Sequence, residues 1–140
     1  MTENVITLDG VWKIFGENAD AAMAAIRERD LSKTEVLQEF GCVIGIADVS
    51  FEVKRGEIFC VMGLSGSGKS TMVRHLNRLI EPTAGKISVM GNDMLSLSDE
   101  ALRAMRAKNI GMVFQHMALL PHRTVRDNVA FPLQVRGEPK

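Results

Sequence analysis

The sequence has little cysteine, no long apolar run and no excess of charge of either sign. Cys42 and Cys60 are its only cysteines, too few to support a disulfide framework or a Cys-rich zinc site. No apolar run approaches the roughly 18 to 20 residues that cross a bilayer, and the N-terminus lacks the basic and apolar regions of a signal peptide. We therefore expect a cytosolic chain that meets a membrane only through a partner.

Basic and acidic side chains balance, with 17 of each and a formal net charge of zero at pH 7. No overall field would draw such a chain to nucleic acid or to an anionic membrane surface. Hydrophobic residues make up 46% and charged residues 24% of the 140 residues, which is near the average for globular domains. These values predict one compact domain with a core of its own and no nucleic-acid partner.

Apolar periodicity predicts several strands. Alternation of apolar and polar residues indicates a half-buried strand, whereas a short, uniformly apolar run indicates a strand covered on both faces of a parallel sheet. The run at 58–62 is of the second kind, so it is expected to be a central parallel strand with Cys60 in the core. The predicted strands are 5–13, ending at Phe15 and Gly16, then 47–53, 58–62, 86–90 and 110–114.

Helix signals lie between these strands. Ser32 and Glu35 have the spacing of a capping box, and Gly41 can end the helix that they begin. An Ala-rich, charge-rich stretch precedes them, so two short helices are predicted between Asn18 and Gly41. Three further helices are predicted: one after Ser70 that Pro82 and Gly85 end, one opened by Ser98 or Asp99 with Leu102 and Met105 buried, and one over 125–135 capped by Thr124.

A glycine-rich loop follows the run at 58–62 and precedes a helix. Its sequence, Gly63-Leu64-Ser65-Gly66-Ser67-Gly68-Lys69-Ser70, satisfies the pattern GxxxxGK[ST] of a phosphate-binding loop. Glycines allow close approach, so successive backbone N–H groups can surround phosphate oxygens at the positive end of the following helix. The alternative is a glycine-rich turn that happens to contain a lysine, but strand, loop and helix follow here in the required order.

The pattern predicts a role for each side chain at the end of this loop. Lys69 would bridge the β- and γ-phosphates of a nucleotide, and the Ser70 hydroxyl is a hard oxygen ligand suited to Mg²⁺. Thr71 would donate to the α-phosphate. The pattern therefore predicts a nucleotide with Mg²⁺, but the loop alone does not separate an ATPase from a small-molecule kinase or a GTPase; ATP is what the family resemblance described next implies.

Two segments carry a resemblance to a known family. The loop in the form GLSGSGKST resembles that of ABC ATPases, and the later segment VFQHMALLPHRTV resembles the Q-loop region of ABC importer ATPases. The resemblance implies an α/β fold, that of the P-loop NTPases (ABC ATPase type), with the N-terminal part of the RecA-like core and its antiparallel β subdomain. It also implies that Gln115 touches Mg²⁺ or the attacking water, although Gln115 could be an ordinary polar residue at a strand end.

The family also places an aromatic residue against adenine, just before a glycine near the end of the first strand. Phe15 matches that position, although it could be a core residue and Trp12 is close enough to compete. The site residues implied are Lys69 and Gln115 for catalysis, Ser70 and Gln115 for the metal, and Phe15, Gly63, Ser65, Gly66, Ser67, Gly68, Lys69, Ser70 and Thr71 for the nucleotide.

The insertion at about 17–44 departs from most ABC ATPases, in which the phosphate loop follows soon after the stacking aromatic. The insertion is followed by the segment GEIFCVMGLSGSGKSTMVRHLNRLIEPTAGKI. Together they are similar to the sequences of the glycine betaine/proline and choline uptake group of importers. That resemblance implies a quaternary-amine cargo and a peripheral place on the cytoplasmic face of the inner membrane. The implied partners are a membrane permease subunit, contacted by the segment after Gln115, a second ATP-binding subunit, and a periplasmic or lipid-anchored substrate-binding protein.

Parts of an ABC ATP site are missing after Gln115: a Walker B strand, a signature motif and a switch histidine. We therefore expect residues 1–140 to be the N-terminal part of one ABC ATP-binding domain, able to bind ATP but not to hydrolyse it efficiently alone. Three alternatives remain at this point: an ABC importer ATPase for another cargo such as an amino acid or phosphate, a non-transport ABC protein acting in translation or repair, and a phosphate-loop kinase.

Overall fold

The computed structural model describes residues 3–116 and 119–138. The chain divides into two compact units, Met1–Ile110 and Gly111–Lys140. The first unit holds the sheet and the glycine-rich loop, and the second holds the segment around Gln115.

An antiparallel sheet forms the frame of the first unit. Its four strands lie in the order β2-β1-β3-β4, and each neighbouring pair is antiparallel. The predicted antiparallel β subdomain is therefore present. The elements of this unit are β1 (Asn4–Phe15), α1 (Ala19–Arg29), α2 (Lys33–Phe40), β2 (Val43–Lys54), α3 (Lys69–Leu76), β3 (Ala84–Val89), β4 (Asn92–Asp93) and α4 (Asp99–Asn109).

One core cluster packs α3 and α4 against the sheet. Met72 of α3 is buried in it, and so are Leu102 and Met105 of α4, as the sequence predicts. Ser98 caps α4, since its hydroxyl accepts a hydrogen bond from the Ala101 backbone N–H at 3.3 Å. The buried members of the cluster are Leu8, Val11, Ile46, Met72, Ile87, Val89, Met94, Leu102 and Met105.

The predicted insertion is a helical segment that connects two paired residues of neighbouring strands. Phe15 at the end of β1 pairs with Val43 at the start of β2, so α1 and α2 occupy the place of a hairpin loop. Such a long loop is tolerated because the entropic cost of closure grows slowly with loop length. The helices also bury a core of their own, made of Ile14, Ala22, Met23, Ile26, Val36, Cys42 and Ile44.

The ends of α2 match their sequence signals. Ser32 and Glu35 form both hydrogen bonds of the capping box, with the Ser32 backbone N–H donating to Glu35 Oε2 at 2.8 Å. Gly41 ends the helix in the left-handed conformation, at φ 65°. The insertion is shorter than predicted, because Val43 and Ile44 already belong to β2.

The predicted strands at 58–62 and 110–114 are not formed. Ile58 is 91% exposed and Val113 98% exposed, and neither segment lies in a sheet. An apolar run becomes a strand only when neighbours satisfy its backbone hydrogen bonds, and no strand in residues 3–116 or 119–138 pairs with either segment. For the same reason Cys60 is exposed, and its prediction as a core residue is wrong.

The helix after Ser70 also ends earlier than predicted. It stops at Leu76, and the following turn is held by local backbone bonds such as Leu79 N–H to Arg74 O at 2.9 Å. Pro82 and Gly85 therefore do not end it, and Gly85 lies in β3.

The second unit is built around α5 (Val125–Val135). Thr124 caps this helix as predicted, because its hydroxyl accepts from the Asp127 backbone N–H at 3.1 Å. The side-chain amide of Asn128 donates to Leu120 O at 3.1 Å, while its oxygen accepts from Leu120 N–H at 2.8 Å. In the part of the chain that is described, no helix is both long and apolar enough to cross a membrane.

The base of the insertion yields a first test. Gly16 lies at φ 141°, and a Cβ there would come within 2.5 Å of Cys42 Sγ. Overpacking typically costs about 1 to 3 kcal/mol, so we expect Gly16→Ala to lower the free energy of unfolding by at least that amount in urea denaturation.

Gly41→Ala is the matched control. Gly41 also has a positive φ, 65°, but a Cβ there meets nothing within 4 Å. It should cost only the left-handed backbone term of about 1 to 2 kcal/mol. Equal losses for the two variants would contradict close packing at the base of the insertion.

Candidate nucleotide site

The glycine-rich loop forms a tight turn that leads into α3. Gly66 and Gly68 have φ values of 79° and 91°, which glycine adopts without strain. Ser67 N–H donates to Leu64 O at 3.2 Å, and Met72 N–H donates to Gly68 O at 2.8 Å as the first bond of the helix. The loop is therefore locally ordered by its own backbone.

Close contacts explain two of its glycines. A Cβ at Gly63 would lie 2.6 Å from Ser67 Oγ. A Cβ at Gly68 would overlap the carbonyl oxygen of Gly45 on β2. The loop is thus packed directly against an edge strand of the sheet, at a point where a side chain does not fit.

Lys69 crosses the loop. Its ammonium donates to Gly63 O at 2.7 Å and to Leu64 O at 2.6 Å, with Ser67 Oγ at 3.4 Å. These oxygens accept the hydrogen bonds that phosphate oxygens would accept from a lysine in a phosphate site. The arrangement holds a cation over the concave side of the loop, where an anion can exchange for the carbonyl oxygens.

The hydroxyls predicted for Mg²⁺ and phosphate lie in the first turn of α3. Ser70 is exposed and Thr71 is half-buried. No acidic residue occupies this turn, so the positive end of the helix is not neutralised there. No group of three or more His, Cys, Asp or Glu side chains among the described residues could hold a metal ion.

Phe15 lies beside the loop. Its ring packs on Gly45, since a Cβ there would come within 2.5 Å of Phe15 Cε2, and Gly45 in turn contacts Gly68. The ring is 41% exposed, and Lys13 Nζ lies 5.3 Å from its centroid. Trp12, the competing aromatic, is partly buried against the core of the insertion. Of the two aromatic residues, Phe15 is thus the one whose ring contacts Gly45, the neighbour of the loop residue Gly68.

Gln115 belongs to the second unit and is exposed. Met117 and Ala118, which follow it in the predicted permease contact, lie outside the described residues. The rest of that segment forms an apolar surface cavity of about 280 Å³, lined by Leu119, Leu120, Pro121, Arg123, Val125, Asn128 and Val129. Sequence reasoning missed Asn128, whose two backbone contacts to Leu120 hold this segment.

A cleft of about 600 Å³ adjoins the loop, between β2 and residues 59–63. Ser67, Gly68 and Lys69 line it from the loop, and Lys33 lines it from α2 of the insertion. Sequence reasoning missed Lys33, because a lysine directly after a capping serine carries no signal beyond that of a surface helix.

The far end of α3 is tied down by side chains from elsewhere in the first unit. Arg106 of α4 donates to Asn77 O at 2.7 Å and to Arg78 O at 2.8 Å. His75 is fully buried, and its Nδ1 lies 2.6 Å from Ile80 O. A carbonyl only accepts, so Nδ1 carries the proton, and Nε2 is left without a partner among the described residues.

Comparison with solved structures defines the class of fold. The chain is similar to an ATP-binding cassette solved as a dimer in a post-hydrolysis state with ADP and phosphate, at a TM-score of 0.70 and 29% identity. That alignment covers 94% of this chain and 47% of the other. The chain has the fold of the N-terminal part of an ABC ATPase, as the resemblance implies.

The family model described as "ABC transporter" matches residues 46–139, which is more than half of the chain. The chain belongs to the ABC transporter family. This membership decides against the phosphate-loop kinase.

The relatives include two transport proteins. The chain is 47% identical over 137 residues to the trimethylamine N-oxide transport system ATP-binding protein TmoW of Pelagibacter ubique, covering 98% of this chain and 40% of that protein. It is 50% identical over 132 residues to the glycine betaine/proline betaine transport system ATP-binding protein ProV of Escherichia coli, covering 94% and 33%. The chain thus spans well under half of the length of these relatives.

The buried His75 predicts a pH-dependent stability. Burial lowers its pKa below 6.5, the Ile80 carbonyl opposes this, and the charge of Lys13 adds to the lowering. The unfolded state therefore takes up this proton first, and stability falls as the pH drops from about 6.5 towards the folded pKa. The contribution is at most about 1.4 kcal/mol per pH unit for one proton.

Urea unfolding at pH 7.5, 6.5 and 5.5 measures this effect. His75→Gln keeps a donor for Ile80 O and should flatten the pH dependence relative to wild type. Gln38→Ala, at an exposed residue without a titratable side chain, should leave the dependence unchanged. The same slope in wild type and His75→Gln would show that His75 does not titrate differently on folding.

Proposed function

We propose that this chain is the ATP-binding part of the energy-coupling subunit of an ABC importer. The observation that carries the proposal is Lys69, whose ammonium donates to carbonyl oxygens of a glycine loop in which a side chain at Gly68 would overlap the backbone of Gly45. Membership in the ABC transporter family supports ATP as the ligand.

The nucleotide would be held from both ends. Its phosphates would lie in the loop, on the backbone N–H groups of Ser65, Gly66, Ser67 and Gly68 and on Lys69, with Thr71 at the α-phosphate. Its adenine would stack on the ring of Phe15, which is 41% exposed, in place of the Lys13 ammonium that lies over the ring. The contacts from Phe15 through Gly45 to Gly68 support one continuous site for base and phosphates.

Mg²⁺ would be bound by Ser70 and by Gln115, together with phosphate oxygens. A hydroxyl and an amide oxygen are hard ligands suited to this ion. The ion would neutralise charge on the phosphates when bound. Gln115 would also orient the attacking water, since an amide can accept a hydrogen bond from it.

Hydrolysis would belong to a pair of complete subunits. The chain has no Walker B or signature motif after Gln115, and we expect residues 1–140 to bind ATP without hydrolysing it efficiently. In this proposal they are the N-terminal part of one ATP-binding domain, from the phosphate loop to the Q-loop.

The cargo proposed is glycine betaine, proline betaine or another quaternary amine. The names of the relatives support this class, because they specify betaines and an amine N-oxide. The partners would be a membrane permease, contacted by the segment after Gln115, a second ATP-binding subunit and a substrate-binding protein. The subunit would then lie on the cytoplasmic face of the inner membrane.

A binding assay tests the phosphate loop and Gln115. A fluorescent ATP analogue is titrated with the chain and displaced by unlabelled ATP, with and without Mg²⁺. Hydrogen bonds to charged groups contribute about 1.5 to 3 kcal/mol, so Lys69→Ala should weaken binding by roughly tenfold to a hundredfold. Gln115→Ala should weaken it only when Mg²⁺ is present.

Two exposed residues outside the site supply controls. Lys86→Ala on β3 and Gln38→Ala on α2 remove the same groups elsewhere and should leave affinity unchanged. Equal affinity of wild type and Lys69→Ala would contradict the site, and a Mg²⁺-independent loss with Gln115→Ala would contradict the metal role.

A second assay tests Phe15. Aromatic stacking contributes on the order of 1 kcal/mol, so Phe15→Ala should weaken ATP about fivefold, while Phe15→Tyr should not. Inorganic tripolyphosphate has no base to stack, so its affinity should be unaffected by either change. Equal weakening of ATP and tripolyphosphate by Phe15→Ala would mean that the ring supports the loop and does not stack on the base.

A further inference from the structure

We propose that Lys33, in the helical insertion, is a second lysine that binds the polyphosphate of the nucleotide. This inference rests on the proposed function, because it assigns a new residue to the same site. It also gives a role to α2, which the proposed function leaves without one.

The first observation is position. Lys33 lines the same cleft as Gly63, Ser67, Gly68 and Lys69, although 36 positions separate the two lysines in the sequence. The cleft has a volume of about 600 Å³ and is not enclosed, so it is accessible to a ligand. The Lys33 ammonium can reach a ligand in the cleft, because a lysine side chain has a flexible four-carbon stem.

The second observation is the charge of the lining. Lys33 and Lys69 are the two charged side chains among the described residues that line the cleft, and no carboxylate does. The rest of the lining is glycine, serine, one cysteine and apolar side chains. Apolar walls strengthen the field of the two cations. Because both charged groups of the lining are cations, its charge favours an anionic ligand.

The third observation is that Lys33 has no competing partner. Its ammonium makes no hydrogen bond or salt bridge to any residue in 3–116 or 119–138. The nearby carboxylates of α2 are engaged elsewhere. Glu35 accepts from the backbone and hydroxyl of Ser32, and Glu39 pairs with Arg29 at 2.6 Å.

The fourth observation is that Lys33 stands on an anchored element. Ser32, the residue before it, is held in a capping box, and Val36 on the next turn is fully buried in the core of the insertion. Position 33 is therefore fixed to the sheet and does not depend on a loose loop. A charge held this way loses less conformational entropy on binding than one on a mobile segment.

Competition against a fluorescent ATP analogue tests the inference, using ATP, tripolyphosphate and adenosine as competitors. Lys33→Ala should weaken ATP and tripolyphosphate about threefold to tenfold, since one exposed charge contact is lost. It should leave adenosine unchanged. Lys33→Arg keeps the charge and should bind like wild type, and the loss in Lys33→Ala should shrink at high salt.

Controls separate this inference from the proposed function. Lys86→Ala removes an exposed lysine from β3 and should have no effect, and circular dichroism checks that Lys33→Ala keeps its helix, which alanine favours. ATP affinity unchanged in Lys33→Ala but lost in Lys69→Ala would overturn the role of Lys33 and leave the site intact. Loss of adenosine affinity would also overturn it, by placing Lys33 at the base or ribose. No ATP binding by wild type would overturn both.

Discussion

The contact between Gly45 of β2 and Gly68 of the phosphate loop fixes the loop against the sheet. Any side chain at Gly68 would overlap the Gly45 carbonyl, and any side chain at Gly45 would overlap the ring of Phe15. Phe15, the edge strand β2 and Gly68, the residue directly before α3, therefore share one small region. Because Gly45 and Gly68 have no side chains, the backbone of β2 determines how closely the loop and the Phe15 ring approach it.

The same region explains how an insertion can be accommodated beside the site. Residues 16–42 leave the sheet directly after Phe15 and return directly before Val43, and these two residues pair with each other at the ends of β1 and β2. The excursion carries its own core and its own caps, and it contributes Lys33 to the cleft. An inserted segment with a core of its own can thus add a residue to the lining of a cleft while the neighbouring strands remain paired.

Local signals in the sequence predict local structure well. The capping residues Ser32, Ser98 and Thr124 each begin the helix that their spacing indicates, because a cap depends only on residues three positions away. The strands predicted at 58–62 and 110–114 fail, because a strand depends on partners that its own sequence cannot specify. This chain spans 33 to 40% of two relatives, and the described residues contain no such partners. The sequence does not predict Lys33 as a site residue, because its position in the cleft depends on the tertiary structure.

Helix α3 is held by contacts at both of its ends, and these contacts fix the position of the glycine-rich loop that precedes it. Its start is fixed by the contact of Gly68 with Gly45, and its end by Arg106, which donates to the carbonyls of Asn77 and Arg78. His75 adds a buried bond to Ile80 that holds the turn beyond the helix. These contacts hold the first turn of α3 in place without a ligand. In the proposed site, phosphate binding would require Lys69 to leave its carbonyl partners, whereas α3 is already formed, which would lower the ordering cost of binding.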